Sequence, residues 1–96
     1  MTAYVIVDTK IKNAEAYEGY KAQAAPIAAK FGGRYLARGG AIDLHDTMLW
    51  TPTRVVVVEF PSRQAANEFL NSAEYQPVKE LRLANADCTT FVLDGM

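Results

Sequence analysis

The segment Arg54-Val55-Val56-Val57-Val58-Glu59-Phe60-Pro61-Ser62 contains the strongest β-strand signal in this 96-residue chain. Valine favours strands, and the Pro-Ser pair after Phe60 ends the run. Because successive side chains of a strand point to opposite faces, the consecutive valines place apolar surface on both faces of the sheet. We therefore predict a central strand that is covered on both sides.

The elements around this strand are predicted to follow the order β-α-β-β-α-β. A run rich in β-branched residues makes residues 3–8 the first strand, and residues 88–93 form the last. Between them, Asn13 caps a helix with a kink at Pro26, Ser62 caps a second helix, and Pro77 opens a further short one. Right-handed crossovers then place the helices on one face of a four-stranded antiparallel sheet. We predict one ferredoxin-like α+β domain over residues 1–96.

The second strand is predicted between two glycine pairs, in the segment 32–40 with sequence GGRYLARGG. Side-chain alternation places Arg34, Leu36 and Arg38 on one face, with Tyr35 and Ala37 on the other. An arginine that points inward needs an anionic partner. The following segment, residues 41–53, is predicted to form a protruding hairpin with its turn at residues 45–47.

The open face of such a sheet is too apolar to stay exposed on a monomer. No element of the chain remains to cover it, so we expect a homodimer in which two copies pack sheet against sheet. The space between the two sheets, together with the hairpin, is then the predicted pocket for a small-molecule ligand.

Composition excludes several classes of function. The net charge is −1 and the ten basic residues are spread along the chain, so we predict no nucleic-acid partner. No apolar stretch reaches the roughly 20 residues of a membrane span, and no signal peptide is evident. Cys88 is the only cysteine, which favours a reducing, cytoplasmic location. Phosphate-binding loops, serine nucleophile elbows and dinucleotide fingerprints are absent, and a lone histidine predicts no metal and no cofactor.

The chain resembles domain of unknown function 1330. The resemblance is carried by residues 32–40, 54–62 and 72–76, by Arg82 and by the terminal Asp94-Gly95. It implies the dimeric α+β barrel superfamily, which has a ferredoxin-like protomer and includes cofactor-independent monooxygenases, dehydratases and isomerases. It implies no established reaction. The sequence Leu44-His45-Asp46-Thr47 departs from the turn usual in this family.

Arg38 and Glu59 are the predicted catalytic residues. A guanidinium binds a carboxylate through two parallel hydrogen bonds, and an enclosed glutamate can take up a proton. The alternative is a structural ion pair between the two side chains near the dimer interface.

Five further residues are predicted to bind substrate, namely Tyr35, Arg54, Tyr75, His45 and Trp50. For each there is a structural alternative. His45 on a hairpin tip is typical of a solvated residue, Trp50 can bury the hairpin against a partner, and tyrosines commonly serve the core. Arg82 can add positive charge to the pocket together with Arg54, although an arginine on a helix more often faces water.

Two functions remain open at this point. The first is a small-molecule-binding dimer, with acid–base chemistry on a small polar or anionic metabolite and no cofactor. The second is a noncatalytic ligand-binding or interaction module in which the arginines and tyrosines serve stability. Fold alone does not choose between them.

Overall fold

The computed structural model describes residues 1–96 and contains four strands and three helices. They are β1 (Ala3–Ile11), α1 (Ala14–Lys30), β2 (Arg34–Arg38), β3 (Val55–Phe60), α2 (Arg63–Asn71), α3 (Tyr75–Asn85) and β4 (Ala86–Asp94). The strands form one antiparallel sheet in the order β2-β3-β1-β4. The predicted ferredoxin-like α+β fold is confirmed, with the valine strand β3 in an interior position. None of the helices is long and apolar enough to cross a bilayer.

Polar side chains start the first two helices where the sequence predicts. The Asn13 side chain accepts a hydrogen bond from the Ala16 amide at 3.2 Å, and Ser62 Oγ accepts one from the Ala65 amide at 3.0 Å. The first helix continues through Pro26 and is followed by Gly32, whose φ of +84° suits glycine.

The hydrophobic core lies between the helices and one face of the sheet. On β3, Val56, Val58 and Phe60 are buried, while the alternate residues face the other side. The Phe69 ring of α2 packs 5.4 Å from the Phe60 ring and 4.5 Å from the Tyr75 ring. The opposite, open face of the sheet carries no helix, and its apolar residues include the exposed Leu36, Phe91 and Leu93.

A bulge in β2 changes which of its side chains share a face. Arg34 lies opposite Glu59 and Tyr35 opposite Val58, but the register then shifts, so that Arg38 lies opposite Val56. Because one residue is added between the paired positions, Arg38 turns to the helix side together with Tyr35. The prediction that Arg34 and Arg38 share a face is therefore wrong.

The predicted hairpin in residues 41–53 is also wrong, because this segment contains no strand. Its residues do not alternate between apolar and polar, and Met48 and Leu49 are almost fully exposed. A side chain of β1 holds its end instead. The Asp8 carboxylate accepts hydrogen bonds from Trp50 Nε1 at 3.0 Å, the Thr53 amide at 2.8 Å and the Arg54 amide at 3.1 Å.

Candidate functional site

A cavity of about 40 Å³ lies between the helices and the inner face of the sheet. It is on the helix side of the sheet, so the prediction of a pocket on the open side is wrong. Apolar walls come from β1, β3 and α2, and polar side chains come from α1, β2, α3 and the start of β3. The polar lining residues are Tyr17, Tyr20, Lys21, Tyr35, Arg38, Arg54, Tyr75 and Arg82.

Every charged side chain that lines the cavity is cationic. No aspartate or glutamate lines the cavity, whereas three arginines and Lys21 do. The two remaining arginines of the chain are ion-paired elsewhere, Arg34 with Glu59 at 3.0 Å and Arg63 with Asp94 at 3.5 Å. All three arginines that lack a carboxylate partner within 4.0 Å therefore converge on the cavity, which gives it an uncompensated positive charge.

Arg38 and Arg54 lie against aromatic rings. The Arg38 guanidinium carbon is 4.5 Å from the centre of the Tyr35 ring, and its Nη2 donates to the Lys21 carbonyl at 3.3 Å. The corresponding distance from Arg54 to the Tyr17 ring is 5.5 Å. Such stacking holds a guanidinium in place without neutralising its charge.

Gly39, in the second glycine pair, allows Arg54 to take this position. It has a φ of +71°, and a Cβ atom placed there would lie 2.6 Å from Arg54 Nε. A side chain at position 39 would thus strain the backbone and displace the guanidinium. The glycine is required by both the turn and the arginine.

Arg82 is the most deeply placed cation. It is 3% exposed, its Nη1 donates to Thr90 Oγ1 at 2.8 Å, and no protein atom accepts a hydrogen bond from its Nε. The prediction that it faces water is wrong. Tyr75, Val78 and Arg82 recur at the spacing of one helical face, and this face of α3 packs on the sheet. That spacing is the sequence signal that would have found it.

Two phenols meet beside Arg82. The hydroxyl oxygens of Tyr20 and Tyr75 are 2.7 Å apart. Burial, reinforced by the neighbouring Tyr75, raises the pKa of Tyr20 far above its ordinary value. Burial likewise raises the pKa of Tyr75, although the hydrogen bond with Tyr20 and the charge of Arg82 oppose that rise. Both phenols are therefore neutral near pH 7 and keep their protons.

These raised pKa values predict a loss of stability in alkali. An unfolded tyrosine ionises near its model value of 10.0, whereas Tyr20 and Tyr75 stay protonated in the fold. Above about pH 10 the unfolded chain binds fewer protons, so the free energy of unfolding falls by up to about 1.4 kcal/mol per pH unit for each phenol. Urea unfolding between pH 7 and 11 measures this. The variant with Tyr20→Phe and Tyr75→Phe should show a shallower decline; equal slopes would contradict the prediction.

Four of the predicted site residues line the cavity, namely Arg38, Arg54, Tyr35 and Tyr75. Three do not. His45 and Trp50 are exposed residues of the 41–53 segment, and Glu59 lies on the open face beside Arg34. Arg38 and Glu59 are not brought together, because the bulged register sets them opposite different residues of the neighbouring strand. The structural alternative, an ion pair between these two side chains, is not formed in the protomer, where Glu59 pairs with Arg34. Tyr17, Tyr20, Lys21 and Arg82 complete the polar lining.

The model of the family described as domain of unknown function (DUF1330) matches residues 2–96. The chain therefore belongs to this family. No curated protein sequence matches it.

Solved structures share the fold at low sequence identity. A protein of unknown function from Rhodopseudomonas palustris is 20% identical, with a TM-score of 0.78 over 99% of this chain and 82% of that one. A dimeric ferredoxin-like protein of unknown function from Jannaschia sp. CCS1 is 13% identical, with a TM-score of 0.73 over 99% and 100%. SnoaB, a cofactor-independent oxygenase from Streptomyces nogalater, is 13% identical, with a TM-score of 0.72 over 99% and 93%.

Proposed function

We propose that this protein binds a small organic anion in the cavity between sheet and helices, and that its own side chains act on that anion by acid–base chemistry without a cofactor. The observation that carries the proposal is the convergence of all three carboxylate-free arginines on one tyrosine-lined space. Cationic side chains with no acid among them attract an anion, because their mutual repulsion is relieved when it binds.

A carboxylate suits the mouth of the cavity. Guanidinium groups present paired donors that match the two oxygens of a carboxylate, and aromatic rings hold Arg38 and Arg54 without using up those donors. At about 40 Å³ the cavity has room for only a few water molecules. We therefore expect the exposed Arg38 and the half-buried Lys21 to swing outward as the ligand enters.

Arg38→Met is the variant that tests this binding site. It removes the charge at the mouth but keeps a flexible side chain of similar length, so affinity for benzoate and pyruvate should fall about tenfold or more, as expected for a lost charged hydrogen bond. Titration calorimetry on the purified protein measures the change. Arg63→Met, which alters an arginine outside the cavity, is the matched control and should leave affinity unchanged.

Two results would contradict the binding proposal. One is the absence of a calorimetric response to any small carboxylate. The other is dissociation of the oligomer in Arg38→Met with unchanged ligand affinity, which would show a structural role for this arginine instead.

The catalytic part of the proposal has a separate test. Neutral phenols and guanidinium groups polarise a carbonyl and stabilise the enolate that forms when a neighbouring C–H bond breaks and its proton leaves to solvent, so an enolisable keto acid such as pyruvate should exchange these protons for deuterium faster with protein present. Proton NMR in deuterated buffer follows this exchange. Binding without exchange or other turnover across keto acids would favour the noncatalytic binding module.

We further propose that two copies associate through their open sheet faces. The Jannaschia protein with this fold is dimeric. In this chain the open face carries the exposed Leu36, Phe91 and Leu93, an apolar surface that water would otherwise contact. The exposed apolar segment 41–53 is continuous with that face, because Trp50 is hydrogen-bonded to Asp8, which lies on the same face of β1 as Tyr4 and Ile6.

A further inference from the structure

The inner end of the cavity offers hydrogen-bond donors and no charged acceptor. Arg82 Nε–H has no protein acceptor, although the residue is only 3% exposed. A buried donor left unpaired costs free energy of folding, on the order of 1–3 kcal/mol. Arg82 lines the cavity, so an acceptor atom of a ligand at this end can pair with Nε once the guanidinium turns toward it.

The phenol pair adds one further donor. Tyr20 and Tyr75 have two hydroxyl protons between them, and the 2.7 Å hydrogen bond uses one. Whichever phenol accepts that bond keeps its own O–H free. Since both side chains line the cavity, the pair always retains one O–H for a ligand, from either tyrosine.

We propose that Arg82 and the Tyr20–Tyr75 pair form an oxyanion site for a second oxygen of the ligand, a phenolate or enolate, while its carboxylate lies at Arg38 and Arg54. This inference rests on the proposed function and deepens it. The ligand class is a small acid that also carries an acidic hydroxyl, either an aromatic hydroxy acid or the enol form of a keto acid. Donors of this kind bind an oxygen that only accepts, and they bind it more tightly when it is charged.

Binding at this site ionises the ligand. The hydroxyl O–H bond breaks, the electron pair stays on the oxygen, and the proton leaves to solvent, because no carboxylate or histidine lines the cavity to accept it. The charged or titratable groups that line the cavity are Tyr17, Tyr20 and Lys21 of α1, Tyr35 and Arg38 of β2, Arg54 before β3, and Tyr75 and Arg82 of α3. Lys21 is paired with Glu18 at 3.0 Å, and Cys88 of β4 lies near Tyr75. With neutral phenols, the summed charge of these groups is positive, which favours the ionised ligand.

A coloured phenol makes the ionisation visible. The probe is 4-hydroxy-3-nitrobenzoate, whose phenolate is yellow and whose phenol form is not. We expect the pKa of its hydroxyl to be lowered by about one unit on the protein, which is a tenfold preference for the phenolate. Absorbance titrations with and without saturating protein measure the shift, and benzoate, which lacks the hydroxyl, serves as the companion ligand.

Phenylalanine variants distinguish a hydrogen bond donated by the free hydroxyl from a packing effect of the tyrosine rings. In Tyr20→Phe or Tyr75→Phe alone, the remaining phenol donates directly, so affinity for the phenolate should change less than about threefold. The double variant loses the last phenolic donor and should bind it about tenfold or more weakly, as should Arg82→Met. Tyr4→Phe, on the open face, is the control and should have no effect. Thermal unfolding of every variant confirms that it is folded.

The results distinguish failure of this site from failure of the proposed function. If benzoate binds in an Arg38-dependent way but the bound probe keeps its ordinary pKa, the oxyanion site is overturned and the binding function stands. If each single phenylalanine variant weakens binding as much as the double one, the intact pair acts through packing, which also overturns the site. If neither benzoate nor the probe binds, both proposals fail.

Discussion

Replacing Arg82 by methionine together with Thr90 by valine is expected to stabilise the fold and to weaken binding of anions at the inner end of the cavity by about tenfold or more. The wild-type guanidinium is 3% exposed, has no carboxylate partner and leaves Nε unpaired. Exchange of a buried charged group and its partner for apolar side chains of similar size is commonly neutral or stabilising, here by about 1–4 kcal/mol. Valine is included because Thr90 Oγ1 accepts from Arg82 Nη1 and would otherwise lose its partner.

Urea unfolding at pH 7 measures the gain, and titration with 4-hydroxy-3-nitrobenzoate measures the loss of binding. The matched control changes the exposed pair Arg63 and Asp94 to methionine and valine, where an ion pair in water contributes at most about 1 kcal/mol. A drop of more than about 1 kcal/mol in the Arg82 double variant would instead show that this arginine stabilises the fold. Greater stability with weaker binding would show a residue kept for its ligand.

The fold was predictable because local signals of the chain agree with one another. The valines of β3 specify an interior strand, while Asn13 and Ser62 start helices as their capping side chains predict. The same kind of signal fails for residues 41–53. Their apolar content suggested strand pairing, but the segment is held by Asp8, a residue more than thirty positions earlier. A side-chain contact of that range leaves no periodic pattern in the sequence.

The sequence predicts only part of the site, and the errors of that prediction have two physical causes. Strict alternation placed Arg38 on the same face as Arg34, and only the register shows the bulge that turns Arg38 to the helix side with Tyr35. For Arg82 a position facing water was preferred to a place in the pocket, because charged residues are, on average, rarely buried. Its spacing from Tyr75 and Val78 marks the inner face of α3 and outweighs that average.

A lysine at the centre of the open sheet face is expected to dissociate the proposed dimer. Val57 lies between Ile6 of β1 and Ala37 of β2, so in a symmetric sheet-on-sheet dimer it is near the middle of the interface. Val57→Lys introduces the charge twice, once from each copy, and burying two like charges costs several kcal/mol. Dimer affinity should therefore fall by about a hundredfold or more.

Light scattering coupled to size-exclusion chromatography, run over a series of protein concentrations, measures this change. Leu83→Lys is the matched control, since Leu83 is an exposed apolar residue of α3 at 51% exposure, away from the sheet. It should leave a wild-type dimer intact. A wild-type protein that is monomeric at micromolar concentration would contradict the dimer itself, and a Val57→Lys protein that remains dimeric would place the interface elsewhere.

Because the cavity is on the other side of the sheet, a dissociated but folded Val57→Lys protomer should still bind benzoate, which separates assembly from ligand binding.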